Sequence, residues 1–257
     1  MTTYVSIISH GHCGVIESIT NLEAILSSFK VVIKSNKPGD DFKKYCAYNN
    51  FHWLDGDYFL GFGENNNYVF EYCNKSLGMS DDDYFIILNP DVFVTPDSLC
   101  CLIDEMSSCS SKLSTINLFR DFDKNITDNS IRTFPRLSDF FSSYIGFGNS
   151  TIINKKMIDS IIEVDWAAGS FLAFKASHYR ELNGFNEQYF MYCEDIDICY
   201  RSALLGERVS YHPQITAIHD ARNANRKISK HLFWHVKSVF KFLASRKGLL
   251  KFKSRLQ

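Results

Sequence analysis

The stretch YFIIL at residues 84–88 is a near-continuous apolar run that leads straight into Asn89-Pro90-Asp91. A strand of that kind is buried on both faces, which is the condition of a parallel sheet covered by helices. The neighbouring sequence supplies the other parts such a sheet needs. YVSIIS (4–9) and VVIKSN (31–36) are short apolar, β-branched strands, and FHWLDG (51–56) is a weaker third. Leu22, Ile25, Leu26 and Phe29 stand at i, i+3, i+4 and i+7, which predicts a helix between the first two. Asn65 to Asn67 are expected to cap a helix that runs to about Leu77, where Gly78 stops it. Thr95-Pro96 occupies the cap and first-turn positions of another, with Leu99, Leu102, Ile103 and Met106 inward. Alternation of strand and helix implies an α/β domain with a parallel sheet.

Beyond this the pattern loosens. Residues 107–150 are rich in Ser, Asn and Asp and are expected to be irregular, with a mobile loop. VDWAAGSFLAF (164–174) then reads as one strand with a glycine inside it. A short helix is expected to end at Asn183-Gly184 and another to run from near Asp195 to Gly206, before the short strands VSYHP and TAIHD. The expectation is one compact domain over 1–225, made of halves 1–106 and 107–225, followed by a basic helical tail (226–257). At 257 residues, 45% hydrophobic and 22% charged, the chain is long enough to bury a sizeable core and has a soluble composition.

The net charge of −1 hides an asymmetry: 11 of the 28 basic residues and none of the 29 acidic ones follow Asp220, leaving the first 220 residues at −12. Leu232, Val236, Val239, Phe240 and Leu243 form a helical stripe within that basic tail, with Lys230, Lys237 and Lys241 on another face. A basic amphipathic helix of this kind suits an anionic membrane surface. Packing on the body or dimerisation would use the same stripe. Nucleic acid is a poor partner, because the acidic body would repel it. The eight cysteines form no CxxC pair and no zinc-type spacing, so they read as reduced thiols of a cytosolic protein. No apolar stretch approaches the roughly 20 residues of a membrane span, and the expected place is the cytoplasm, peripheral on the inner face of the cell membrane.

Ligands of open parallel sheets sit beyond the carboxyl ends of the strands. Ser9-His10, Ser35-Asn36 and Asn89-Pro90-Asp91 all lie at such ends. Asp91 follows the most buried strand, where a carboxylate suits a divalent cation and a cation suits a diphosphate; an Asp turn ahead of the Thr95 helix would also place it there. In LGFGENNN (60–67), Gly63 and Asn66 fall where a helix start can receive a phosphate, although Gly-Phe-Gly is also an ordinary turn. YFMYCEDIDICYR (189–201) sets Glu194, Asp195 and Asp197 beside an aromatic run. Asp197 and Arg201, four apart, can pair on one helix face. Of Glu194 and Asp195, helix capping accounts for one, and a second carboxylate against an aromatic wall suits a general base. His219 closes a short strand and gains a role only if Asp91 needs a partner for a metal.

These pieces occur in one order: VSIISHG, LGFGENNN, FIILNPDV, the long block from VDWAAGSF to EDIDICYR, and YHPQITAIH. In that order, over residues 4–220, they resemble a family 2 glycosyltransferase of the GT-A fold, within the bacterial rhamnosyltransferases of O-antigen assembly. The resemblance implies an α/β GT-A fold with a C-terminal basic amphipathic helix, and inverting transfer of L-rhamnose from dTDP-L-rhamnose to a lipid-diphosphate-linked saccharide. It implies that Asp91 and His219 hold Mg²⁺ or Mn²⁺ against the donor diphosphate, that Asp195 beside Glu194 is the base, and that Trp166 and Gly169 line the sugar and acceptor pocket. Ser9, His10, Asn36, Gly63, Asn66, Asn89 and Asp91 fall to the donor side. Asn89 replaces the first Asp of the Asp-x-Asp motif, and Ser35-Asn36 replaces Asp-Asn, so the usual carboxylate contact to the nucleotide is missing. A UDP-hexose or UDP-galactofuranose donor, a nucleotide-sugar hydrolase or nucleotidyltransferase, and a non-catalytic glycan-binding module are the alternatives.

Overall fold

The computed structural model describes residues 1–18, 29–136, 139, 150–220 and 228–257. The strands are β1 Thr3–Ser9, β2 Phe29–Ser35, β3 His52–Asp55, β4 Tyr84–Leu88, β5 Val92–Phe93, β6 Leu113–Phe119, β7 Ile131–Arg132, β8 Ile162–Val164, β9 Trp166–Ala167, β10 Phe171–Lys175 and β11 Val209–His219. The helices are α1 Cys13–Ser18, α2 Lys43–Asn49, α3 Phe62–Leu77, α4 Pro96–Ser108, α5 Ala176–Glu181, α6 Glu194–Leu204 and α7 Ile228–Arg246. The large sheet runs β3-β2-β1-β4-β10-β6-β11-β5, with β8 paired to β11. β3, β2, β1 and β4 are mutually parallel, whereas β10 is antiparallel to both β4 and β6.

β4 is buried at all five positions, as its composition requires. Tyr84, Ile86 and Leu88 enter a core under α1, α2 and α4, while Phe85 and Ile87 enter a second core under α3, α5, α6 and α7. Alternate strand residues point to opposite faces, so one strand serves both cores. Thr95 caps α4 by accepting the Ser98 N–H, with Leu99, Leu102 and Met106 buried beneath. Gly78 ends α3 at φ 72°, a conformation open to glycine without steric cost.

Several boundaries differ from the sequence expectation. Phe29 opens β2, and the other three positions of the helical face, 22, 25 and 26, lie outside the described residues, as does most of the loop expected within 107–150 and the start of the tail at 226. The stretch 107–150 also contains β6, a fully paired strand whose Ser and Thr hydrophilicity hides it: Thr115 Oγ1 donates to the Phe171 carbonyl at 3.0 Å. Residues 164–174 are not one strand but the end of β8, β9 and β10, broken by a turn at Gly169-Ser170. VSYHP and TAIHD join into the single strand β11, with a register shift between His212 and Thr216. α3 starts at Phe62, so Asn65–Asn67 lie within it and not at its cap.

α7 lays one face on the body. Val239 and Phe242 are buried in the second core, and Ser238 Oγ donates to the Met191 carbonyl at 2.8 Å. The expected stripe is therefore divided: Val239 is covered, whereas Leu232 and Phe240 are exposed with Phe233. The chain then returns along α3, where Asn67 Nδ2 donates to Ser254 Oγ and Arg255 meets Glu64 and Glu187. All eight cysteines are free thiols, and among the described residues no helix is long and apolar enough to cross a membrane.

Candidate active site

The carboxyl ends of β1, β2 and β4 open on one edge of the sheet. The chain turns at Asn89, whose carbonyl accepts the Val92 N–H at 3.1 Å, and β5 then pairs antiparallel with the end of β11, His219 facing Val92. The Asp220 N–H donates to the Asp91 carbonyl at 2.9 Å, fixing Asp91 beside His219. His219 Nε2 lies 3.6 Å from Asp91 Oδ1, too far for a hydrogen bond, and that oxygen is buried without a partner. On the other side of the ring, Nδ1 meets Asp128 Oδ2 at 2.5 Å. Burial alone would lower the His219 pKa, but the flanking carboxylates of Asp128 and Asp91 raise it to about 9.

This donor set fits a divalent cation. The buried oxygen of Asp91 lacks a partner, His219 Nε2 points to the same place, and Asp128 anchors the far ring nitrogen, as carboxylates commonly do for ligating histidines. Among the described residues no group of three or more His, Cys, Asp or Glu side chains forms a complete metal cage. Two protein ligands with phosphate oxygens supplying others is the usual arrangement for Mg²⁺ at nucleotide sites.

Glu194 and Asp195 open α6. Tyr192 and Cys193 precede them in the left-handed region, at φ 70° and 63°. Two consecutive non-glycine residues there are costly and persist only where the surroundings enforce them. The tertiary packing supplies that enforcement: Tyr192 Oη meets His231 Nδ1 of α7 at 2.7 Å. Asp195 Oδ2 accepts the Gly169 N–H at 3.2 Å and Oδ1 accepts the Ile196 N–H at 2.9 Å. The Ser170 carbonyl accepts the Asn89 N–H at 3.0 Å. Adjacent residues of one turn thus tie the carboxylate at 195 to the chain that carries Asp91. A Cβ at Gly169 would stand 2.9 Å from Phe62 Cε1, so any larger residue at the turn would have to push the end of that ring aside.

The three acidic residues of α6 have separate environments. Asp197 is the structural member: its Oδ2 accepts from Arg201 Nε at 2.8 Å, and Arg201 also reaches the carbonyls of Leu182 and Gly184. Glu194 is buried, its Oε2 has no partner, and burial together with the Asp195 charge drives its pKa well above the usual carboxylate range. Asp195 is also raised by burial, but two backbone N–H groups and the charge of Arg132 oppose the rise. Asp195 is therefore the carboxylate of the pair that ionises first.

The remaining sequence-selected residues divide. Trp166 lies on β9, which packs against α6, and its Nε1 donates to the Thr133 carbonyl at 2.9 Å. Ser9, His10 and Asn36 meet at the carboxyl edge, where the Asn36 N–H donates to the Ser9 carbonyl at 2.7 Å and only His10 is exposed. The Asn36 side chain is engaged at both ends by Leu60, and Ser9 Oγ by the His12 N–H. Gly63 and Asn66 do not form a phosphate cradle. Asn66 is fully buried and bonded to Ser6 and Phe62, and the helix start is closed by the Phe190 carbonyl, which accepts the Phe62 N–H. Gly63 is there because Phe185 presses on α3, where a Cβ would come within 2.5 Å of Phe185 Cβ.

Sequence reasoning missed Asp128, Arg132, Lys155 and Ser170. Lys155 Nζ donates to Ser130 Oγ at 2.8 Å, and burial lowers its pKa to about 8. Ser170 Oγ is buried without a partner. Asp128, Arg132 and Lys155 stand in no periodic or motif pattern, and Ser170, inside the VDWAAGSF block, carries no signal of its own. Arg132 is set by the pairing of β7 with β9 and Asp128 by its contact with His219.

No protein-family model matches the chain. It is 41% identical over 249 residues to rhamnosyltransferase WbbL of Escherichia coli K12, covering 96% of this chain and 94% of that protein. It is 29% identical over 172 residues to an N-acetylglucosaminyl-diphospho-decaprenol L-rhamnosyltransferase of Mycobacterium tuberculosis, covering 64% of this chain and 56% of that one. Among solved structures, glucosyl-3-phosphoglycerate synthase from Mycobacterium tuberculosis, in complex with Mn²⁺, UDP and glucosyl-3-phosphoglycerate, superposes with a TM-score of 0.62 at 12% identity. That likeness covers 97% of this chain and 81% of that one, and it concerns the fold.

Proposed function

The chain belongs to the family 2 rhamnosyltransferases of the GT-A fold, and from that membership we propose that it moves L-rhamnose from dTDP-L-rhamnose onto a lipid-diphosphate-linked sugar, with inversion. The observation that carries the reading is the linkage through Gly169-Ser170, which joins the half-buried, ionisable Asp195 to the strand end that carries Asp91 beside His219. Rhamnose transfer is the activity both relatives are named for, and a lipid-diphosphate-linked acceptor that of the mycobacterial one; the nucleotide and the roles of single residues are our assignment.

Asp91 and His219 would hold Mg²⁺ or Mn²⁺, which when bound neutralises charge on the departing diphosphate. Asp128 keeps Nδ1 of His219 engaged, so that Nε2 faces the donor. At the other end Asp195 accepts the proton of the acceptor hydroxyl as its oxygen attacks the anomeric carbon. The bond from that carbon to the diphosphate oxygen breaks in the same displacement, and the proton leaves with the carboxylate. Glu194, held protonated beside it, removes a second negative charge from the pocket. Trp166 and the Tyr192 ring form the wall against which the acceptor sugar rests.

The exposed outer face of α7 supports a membrane-side location. Phe233 and Phe240 are 64% and 66% exposed and flank Lys237 at helical spacing. Apolar rings with interspersed lysines suit the headgroup region of an anionic bilayer, where a lipid-linked acceptor resides.

The test is transfer from dTDP-L-rhamnose to a synthetic N-acetylglucosaminyl diphospholipid with Mn²⁺, across pH, for wild type and Asp195→Asn. A general base contributes about 10²–10⁴-fold, so Asp195→Asn loses that much of kcat while dTDP binding by calorimetry is unchanged. The raised pKa of Asp195 places the acid limb of wild-type kcat above the range of an exposed aspartate, since the base must be deprotonated to act. Near wild-type turnover by Asp195→Asn sinks the assignment; transfer from UDP-sugars alone discards the dTDP donor.

A further inference from the structure

Arg132 is half-buried, and its only hydrogen bond among the described residues is from Nε to the Asn129 carbonyl at 3.0 Å. Among the described residues no carboxylate lies within ion-pair distance of it, whereas the other half-buried arginines have partners: Arg180 has Asp81, Arg201 has Asp197 and Arg255 has Glu187. Its guanidinium lies over the Trp166 ring, 5.3 Å from the centroid, on the strand pair in which Arg132 faces Trp166. The terminal amines thus make no hydrogen bond among the described residues in a partly desolvated position, and the carboxylates that act on the charge lie beyond ion-pair distance. A planar guanidinium held by stacking, with its terminal N–H groups unengaged, matches phosphate oxygens in a bidentate fork.

Two neighbours decide which phosphate. The charges of Asp195 and Asp128 both act on Arg132, so it lies within electrostatic reach of both. Arg132 in turn acts on His235 of α7, a histidine kept neutral chiefly by burial, whose ring lies 5.3 Å from that of Tyr192. The donor diphosphate is provided for by Asp91 and His219. Arg132 belongs instead to the side formed by Trp166, Tyr192 and α7, and the outer face of that same helix carries Phe233 and Phe240. An acceptor whose sugar hydroxyl reaches Asp195 and whose lipid lies along the outer face of α7 has to pass its diphosphate between the two, where Arg132 and His235 stand.

We propose that Arg132, supported by His235, forms a binding site for the diphosphate of the acceptor. The inference rests on the lipid-diphosphate reading above. It is tested without turnover by calorimetric titration of a short-chain alkyl diphosphate carrying no sugar, with the donor site filled by dTDP and Mn²⁺. Wild type binds it. Arg132→Gln weakens binding about ten- to hundredfold, the loss of one charge-assisted contact or two, and Arg132→Lys, which keeps the charge but not the fork, falls between. Binding of dTDP with Mn²⁺ is the same in all three, and circular dichroism melts verify that the variants are folded.

Equal affinity of wild type and Arg132→Gln for the alkyl diphosphate overturns the proposal. So does an alkyl diphosphate that binds only by displacing dTDP, which would place its phosphates at the metal end. A wild-type enzyme that binds the alkyl diphosphate through Arg132 yet transfers no rhamnose leaves this site standing and refutes the proposed reaction instead.

Discussion

Gly63 and Phe185 touch closely enough that a single methyl group decides whether α3 can sit where it does. A Cβ at position 63 would stand 2.5 Å from Phe185 Cβ and 2.9 Å from its Cγ. Phe185 is itself fully buried and stacked edge-on with Phe62 at 5.9 Å, so it has little room to yield. Gly63→Ala is therefore expected to cost about 1–3 kcal/mol, the usual range for overpacking, although alanine is the better helix former by up to about 1 kcal/mol. Urea unfolding of Gly63→Ala measures the cost, and the Gly63→Ala, Phe185→Leu double variant, which keeps the offending Cβ and Cγ, should not recover the loss. An unchanged midpoint would contradict the packing role. The sequence could show that a glycine stood there but not what it faced, since Phe185 is 122 positions away. Asp91, Asp195 and His219 could be singled out for the opposite reason: each stands at the end or start of an element with a local sequence signal, so the position alone marks it. Asp128 and Arg132 sit in a stretch without periodicity and acquire their places only through pairings made across the chain.

Among the elements, the helix and strand signals that held were those with a local physical cause, such as the Thr95 cap, the αL residue at Gly78 and the unbroken apolarity of β4. Those that failed depended on tertiary contacts. β6 carries hydroxyl residues because its neighbour β10 offers carbonyls to bond them, and the segment 164–174 breaks because Gly169 must reach Asp195. α7 shows both effects. Its amphipathic character is evident in the sequence, but the body covers the side holding His231, Ser238, Val239 and Phe242, which rotates the exposed side toward Phe233, Lys237 and Phe240. The double variant Phe233→Ser, Phe240→Ser is accordingly expected to lose most of its binding to vesicles containing phosphatidylglycerol in a sedimentation assay. Its melting temperature should stay near that of wild type, because neither ring belongs to the core. Vesicle binding at the wild-type level would remove the membrane role from this face, and a large drop in melting temperature would assign the rings to folding.

The whole molecule is held by one sheet whose two cores meet along β4, and the site lies where strands from both parts of the chain end together. The parallel strands β1, β2 and β4 bring Ser9, Asn36 and Asn89 to the edge; the antiparallel β10 and the parallel pair β6 and β11 bring Asp195's turn and His219 to it. Ligands that touch both parts should therefore stabilise the fold as a unit. At about 100 times its dissociation constant, dTDP with Mn²⁺ adds roughly 2.7 kcal/mol. For a domain of this size that corresponds to a rise in melting temperature of about 5–10 °C. Asp91→Asn removes the charge of the carboxylate proposed to hold the cation, so it should retain the small shift given by dTDP alone and lose the further part that depends on Mn²⁺. The same scan on Asn36→Ala should lower the melting temperature without ligand, because its amide is engaged by Leu60 on both sides, and leave the ligand-induced increment in place. A metal-dependent increment that survives in Asp91→Asn would mean that the cation is held elsewhere, and the pairing of Asp91 with His219 would then be a closure of the β5–β11 strand end and not part of the donor site.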